Sequence, residues 1–283
     1  MTAVPMPAPA WLDEITALPG PPFLRMGTHA LAGGWLVGGD DVPDLLEEKR
    51  RLLDECHDEV VAALPGTEPA AAELLAEVAA ATEPAAETGL HPIDAAGRLV
   101  AEDLCLLVPQ PRAGGWILGA GSVCFPSHWR LADKLGQPVA AIHAPVPHYP
   151  AELAARVDLF LDRLRVGPGV WRRNWTVHTS ARLFAPTPPP PPDPPVTPAD
   201  AADRLWFRSE YQTLRRLPGS DAIVFGIRTQ QVPLGALAER PDVCHKLAAT
   251  AVSWSPGFLA YRGGEDLRRP FLAWLHHASA DRR

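Results

Sequence analysis

The sequence predicts an α+β fold, with an antiparallel sheet in the middle of the chain and helices at both ends. Three observations predict it. Short apolar runs bounded by Pro and Gly crowd between residues 99 and 229, segments with helical periodicity stand before and after them, and strands do not alternate with helices as parallel βαβ units require. At 283 residues the chain is long enough to bury a substantial core, and it reads as one domain spanning residues 1–283.

The opening, residues 1–40, is rich in Pro, Gly and Ala with scattered Trp11, Phe23, Leu24 and Trp35, and reads as an extended arm with short strands. Asp41 to Leu64 repeats Leu46, Leu53, Cys56, Val60 and Leu64 at near-helical spacing, with Glu47, Glu48, Lys49 and Arg50 on the exposed side. Ala70 to Ala81 is a second helix, with Thr67 as its N-cap candidate and Pro69 in its first turn. Leu99–Val108 and Trp116–Phe125, separated by Pro109, Pro111, Gly114 and Gly115, read as a hairpin. A short helix over Trp129–Leu135 closes at Gly136. Val139–His143 reads as a strand, and Ala151–Arg165 as a helix with Leu153, Val157, Phe160, Leu161 and Leu164 inward. Val170–His178, Leu205–Tyr211 and Ala222–Thr229 are three more strands, and the chain is helical from Pro233 onward with breaks at Pro241, Pro256 and Gly263-Gly264. Residues 186–198 hold the run Pro188–Pro192 and then Pro194 and Pro195. So many prolines exclude helix and central strand, and the run reads as a stiff loop insertion between strands of one sheet.

Composition excludes several function classes. The net charge of −7 argues against nucleic acid or an anionic membrane as partner. No apolar run has the length of a membrane span and no basic leader precedes an apolar segment, so the expectation is cytoplasmic. Cys56, Cys105, Cys124 and Cys244 are too far apart for a Cys-x-x-Cys zinc site or an iron–sulfur cluster, and read as free buried thiols. There is no Gly-x-Ser-x-Gly, no dinucleotide fingerprint and no Walker motif.

The residues able to carry chemistry are few. His143 ends an apolar run, and the Pro145 and Pro147 that follow lock their own φ and push Ala144 and Val146 toward extended backbone. A ring at the base of such an arm has the fixed direction that a metal or cofactor ligand needs. His128, after Pro126-Ser127, is a second candidate, with Ser127 as cap of the next helix. For each histidine a hydrogen-bonded packing role is the ordinary alternative. Trp171, Arg173 and Trp175 share one strand face, as do Arg208, Glu210 and Gln212. Arginines set among aromatics in an acidic protein suit carboxylates or phosphates, or else buried Arg–Glu pairs that fix strand register.

Several blocks in consistent order resemble the haem-dependent oxidative N-demethylase family. They are Glu102-Asp103-Leu104, Gly121 to Trp129, Lys134-Leu135-Gly136, Ile142 to Pro147, Arg172-Arg173-Asn174-Trp175, Arg208 to Pro218 and Phe225 to Thr229, within residues 20–275. The resemblance implies a PAS-like antiparallel sheet holding haem, one subunit of a monooxygenase whose other chains carry flavin and an iron–sulfur centre. It implies consumption of molecular oxygen and removal of a methyl group from a small secondary amine such as dimethylamine, with release of formaldehyde. On that reading His143 is the axial ligand, with His128 the alternative. Arg173, Arg208 or Arg228 would bind the propionates, and Trp175 belongs to the same cofactor site. The absence of Cys-x-x-Cys-His makes the group non-covalent haem b. The catalytic residues are not identified by it, and the proline insertion departs from the family pattern. A haem- or ligand-binding sensor and a non-catalytic subunit are the competing functions, although no signalling module is attached.

Overall fold

The computed structural model describes residues 9–18, 26–82, 87–110 and 115–280. Phe23, Leu24, Pro111 and Gly114 of the sequence reading lie outside these residues. Helices and an antiparallel sheet make the architecture α+β. The strands are β1 (His29–Ala30), β2 (Val61–Ala63), β3 (Asp103–Pro109), β4 (Trp116–Ser122), β5 (Val170–His178), β6 (Trp206–Arg216) and β7 (Ile223–Pro233), in spatial order β1-β5-β6-β7-β3-β4-β2. The expected hairpin is β3 and β4, with Leu106 opposite Ala120. β6 and β7 run longer than their sequence patterns suggest and pair along their full length, from Trp206 opposite Pro233 to Arg216 opposite Ile223.

Before the sheet stand α1 (Val42–Glu55) and α2 (Glu68–Ala81), each with Pro in its first turn. Thr67 occupies the N-cap position, but its hydroxyl donates back to the Leu64 carbonyl instead of accepting from the helix. After or between strands come α3 (Val139–Ile142), α4 (Ala154–Arg163), α5 (Pro241–Val252), α6 (Pro256–Tyr261) and α7 (Gly264–Ala280).

Five expectations need correction. The opening is not wholly extended, because Ala10–Leu12 and Asp13–Ala17 are helical and bury Leu12 and Ile15 against the C-terminal helices. The helix expected over 41–64 stops at Glu55, and Val61–Ala63 becomes an edge strand on β4, with Val61 opposite Ser122. Lys49 is completely buried, not exposed. Its ammonium donates to the Val100 and Glu102 carbonyls and lies 3.9 Å from Asp103. Val139–Ile142 is a helical turn, because the Ile142 and His143 amides close back on Pro138 and Val139. Residues 143–148 are then successive turns, not an extended arm. Val146 bonds back to His143 and Tyr149 to Val146, and His148 takes φ 67°, as the third residue of a type II turn with Pro147 before it.

Strand alternation sorts the centre of the sheet into two faces. One carries Trp171, Arg173, Trp175, Phe207, Ser209, Tyr211 and Arg228. Its lower part packs against α5, α6, α7 and the 10–17 helices, and its upper part, with Leu104 and Leu106, against α2. The other face carries Arg172, Asn174, Thr176 and His178 from β5, Arg208, Glu210 and Gln212 from β6, and Ile227, Thr229 and Gln231 from β7. This polar face has two covers. The 131–164 segment packs on Cys105, Leu107, Leu214, Ile223 and Phe225 at one end. Phe125, Leu183 and Phe184 close the other end with α1. The proline insertion joins β5 to β6, which are hydrogen-bonded neighbours. Pro188–Pro191 are exposed, Val196 is buried, and Arg204 grips the Pro194 and Pro195 carbonyls.

Candidate functional site

Between the two covers the polar face is only half-buried. Arg172, Asn174, Glu210 and Gln212 line it, and the buried Thr229 lies at its floor. The register sets Arg172 opposite Gln212, and Asn174 opposite Glu210, which is itself opposite Thr229. Several buried polar atoms on this face have no hydrogen-bond partner: Arg172 Nε, Arg208 Nε, Thr229 Oγ1 and Gln231 Oε1. Buried polar groups are almost always satisfied, so these are the atoms of this face that a bound water or ligand would satisfy.

His143 stands at the 131–164 end of this face, at the C-cap of α3. Its Nδ1 lies 2.9 Å from the Val139 carbonyl oxygen. A carbonyl only accepts, so Nδ1 carries the proton and Nε2 carries the lone pair. The ring stacks on Tyr149 at 4.7 Å between centroids and 18° between planes. Burial pushes its pKa below the ordinary histidine value, the Val139 bond opposes that, and Arg172 and Lys134 add to it. The result is a neutral, oriented imidazole whose Nε2 keeps its lone pair.

His128 lies at the opposite end, and its backbone is in the left-handed region at φ 62°. Its ring sits 4.7 Å from that of His178. Ser127 does not cap a helix; its hydroxyl pairs with His178 Nε2 at 3.1 Å. Burial first, then Arg208 and His128, press the His178 pKa down to about 3. The sequence reading gave His178 no role, since its partners come from a loop 51 residues away.

The arginines divide between the faces. Arg208 shares the polar face, is fully buried, and donates to the Leu183 carbonyl at 3.0 Å and to that of Phe125. Arg173 points to the opposite face, where Glu14 accepts from it at 2.6 Å and Trp11 and Tyr211 stack on either side. Arg228 is on that same face and bonds Asp41 at 2.6 Å. Trp175 also faces that way, packed among Phe207, Trp254 and Phe271. Of the arginines and tryptophan expected at one site, only Arg208 therefore shares a face with His143. Sequence reasoning missed Arg172, which stands on the polar face beside His143, Tyr149 and Glu210. Strand parity, by which Arg172 and Arg173 must point apart, was the signal available.

The family model for haem-dependent oxidative N-demethylase, alpha subunit-like, matches residues 80–272. The chain belongs to that family. The match takes in the whole polar face, from Asp103 through His143 and Arg172 to Gln231. An N-demethylase alpha-subunit-like chain is by its family description haem-dependent and part of a multi-subunit assembly. No described helix is long and apolar enough to cross a membrane.

Proposed function

We propose that this chain is the haem-binding subunit of a multi-chain monooxygenase that removes a methyl group from a small secondary amine. The observation that carries the reading is His143, whose Nδ1 is committed to Val139 so that Nε2 keeps the lone pair, together with the unpartnered Arg172 and Arg208 donors of the polar face.

The polar face offers the donor chemistry that haem b would need. The guanidiniums of Arg172 and Arg208 both bear on the single carboxylate of Glu210, while Asp103 is matched by Lys49. The face therefore keeps positive charge of the kind that a propionate neutralises. The orphaned Nε atoms of Arg172 and Arg208 are donors suited to those carboxylates. In this proposal His143 would ligate the iron and Arg172 and Arg208 would hold the propionates, while Arg173, Arg228 and Trp175 fix the fold from the opposite face. The long strands support a PAS-like reading. In spatial order β4-β3-β7-β6-β5 they are second, first, fifth, fourth and third along the chain, the PAS sequence of strands.

Bound haem supplies oxygen activation and hence oxidation of an N-methyl group, which leaves as formaldehyde. The chain's own residues orient and insulate. Val139 holds the imidazole in one tautomer and Tyr149 holds its plane. Burial keeps that imidazole neutral, as a metal ligand must be. The 131–164 cover and the Phe125 cover limit access of water to the cleft from its two ends. Electrons come from a partner with flavin and an iron–sulfur centre, since the sequence carries no motif for either.

The test is oxygen consumption with dimethylamine, using the haem-loaded chain with and without a flavin and iron–sulfur reductase. Amine loss coupled to oxygen use only when the reductase is present supports the proposal. Haem binding without coupled turnover points to a sensor or a non-catalytic subunit. Turnover with NADPH alone contradicts the partner requirement.

A further inference from the structure

We propose that Glu210, with the Thr229 hydroxyl beside it, positions the substrate by accepting the N–H groups of a protonated amine. The inference rests on the proposed function and names the residues that recognise the substrate class.

The polar face asks for two kinds of partner. Arg172 Nε and Arg208 Nε are donors and call for an anion, which the cofactor's carboxylates provide. Glu210 and Thr229 Oγ1 cannot serve that anion in the same way. A carboxylate repels a propionate, and a hydroxyl held beside it is best used as a second acceptor or a bridge. Glu210 is opposite Thr229 in the β6–β7 register, so their side chains lie side by side in the half-buried row between the two covers. Glu210 accepts from Gln212 Nε2 at 2.9 Å through Oε2, which anchors the carboxylate; its second oxygen, Oε1, is an acceptor too. Thr229 is 1% exposed and its Oγ1 has no hydrogen-bond partner. An unpartnered oxygen buried this deeply, next to an anchored carboxylate, suits a small ligand with a positive charge and two N–H donors.

A secondary alkylammonium ion has that pattern: one N–H for the carboxylate, one for the hydroxyl, and two small apolar arms. A quaternary ammonium ion has the charge without the donors. Arg172 and Arg208 oppose a cation here until their charge is neutralised, so the cofactor's carboxylates and the amine are expected to favour each other's binding.

The experiment is calorimetric titration of the chain, haem-loaded and haem-free, with dimethylammonium chloride and with tetramethylammonium chloride. Wild type, Glu210→Gln and Thr229→Val are compared, with the haem absorbance of each recorded. The inference predicts dimethylammonium binding to wild type, weakened about tenfold or more in Glu210→Gln and roughly threefold or more in Thr229→Val. It predicts tetramethylammonium binding at least about tenfold weaker than dimethylammonium in wild type. Haem uptake should persist in both variants, because removing a negative charge from a cationic cleft does not weaken propionate binding. A purely structural Glu210 would instead alter haem uptake or melting temperature and leave the amine affinity alone. Equal dimethylammonium affinity in all three proteins overturns the inference. A wild-type chain that takes up no haem but still binds dimethylammonium through Glu210 overturns the cofactor reading and leaves this one standing. Should Glu210→Gln fail to fold, Thr229→Val decides, and unchanged affinity there overturns the proposal.

Discussion

The His143 ring lies against Tyr149, with centroids 4.7 Å apart and planes 18° from parallel, while its Nδ1 binds the Val139 carbonyl. One contact sets the plane of the imidazole and the other its tautomer, so the direction of Nε2 follows from two residues on either side of His143 in the chain. Tyr149→Phe keeps the stack and should leave haem affinity within about twofold. Tyr149→Ala removes it, and since an aromatic pair contributes about 0.5–1.5 kcal/mol, haem should bind roughly two- to tenfold more weakly. Haem titration followed by absorbance checks both.

His178 makes the folded state sensitive to acid. Folded, its pKa is pressed to about 3 by burial, Arg208 and His128; unfolded, it returns to the ordinary value of about 6.5. The unfolded chain therefore takes up a proton in that window that the folded chain refuses. Stability from this group is fully present above pH about 6.5 and is lost progressively as pH falls toward about 3. At pH 5 the loss is roughly 2 kcal/mol. Urea unfolding of wild type and His178→Gln at pH 7.5 and 5 should show a smaller loss on acidification in the variant. Equal losses would contradict the assignment.

Lys49 and Asp103 test the buried anchor beneath the cleft. Asp103 accepts from the Cys124 and Phe125 amides at 2.8 Å each, which holds the loop whose Phe125 carbonyl receives Arg208. Lys49→Met leaves that carboxylate buried without its cation and should cost about 3–5 kcal/mol of stability. Adding Asp103→Asn removes the stranded charge and should recover part of the loss. Chemical denaturation of the single and double variants measures it.

Much of the sheet was legible in the sequence because β3, β4 and β7 hold apolar runs of strand length fenced by Pro or Gly, and β5 follows Gly167-Pro168-Gly169 with the strand-favouring Val170, Trp171, Trp175 and Val177. Val139–Ile142 was not, because four apolar residues carry no usable period, and the helical turn is chosen by Pro138, whose carbonyl receives the Ile142 amide. Lys49 was misread for a related reason. It sits in a charged run that looks solvated, and only the tertiary approach of Val100, Glu102 and Asp103 buries it. The site was legible in part. His143 stood out through its prolines, and Arg208 through its aromatic neighbours. Arg172 and Arg173 looked equivalent, because both sheet faces are covered and alternation alone does not say which cover holds a ligand. His178 and Thr229 gave no local signal, since their meaning lies in register and long-range packing.

The central claim is that His143 holds haem b in this cleft, and absorbance of purified protein reconstituted with haem tests it most directly. Wild type should show a Soret band with near-stoichiometric iron, His128→Ala the same band, and His143→Ala its loss or a marked shift. A wild-type protein that stays colourless, or a spectrum that survives His143→Ala and collapses in His128→Ala, would contradict it.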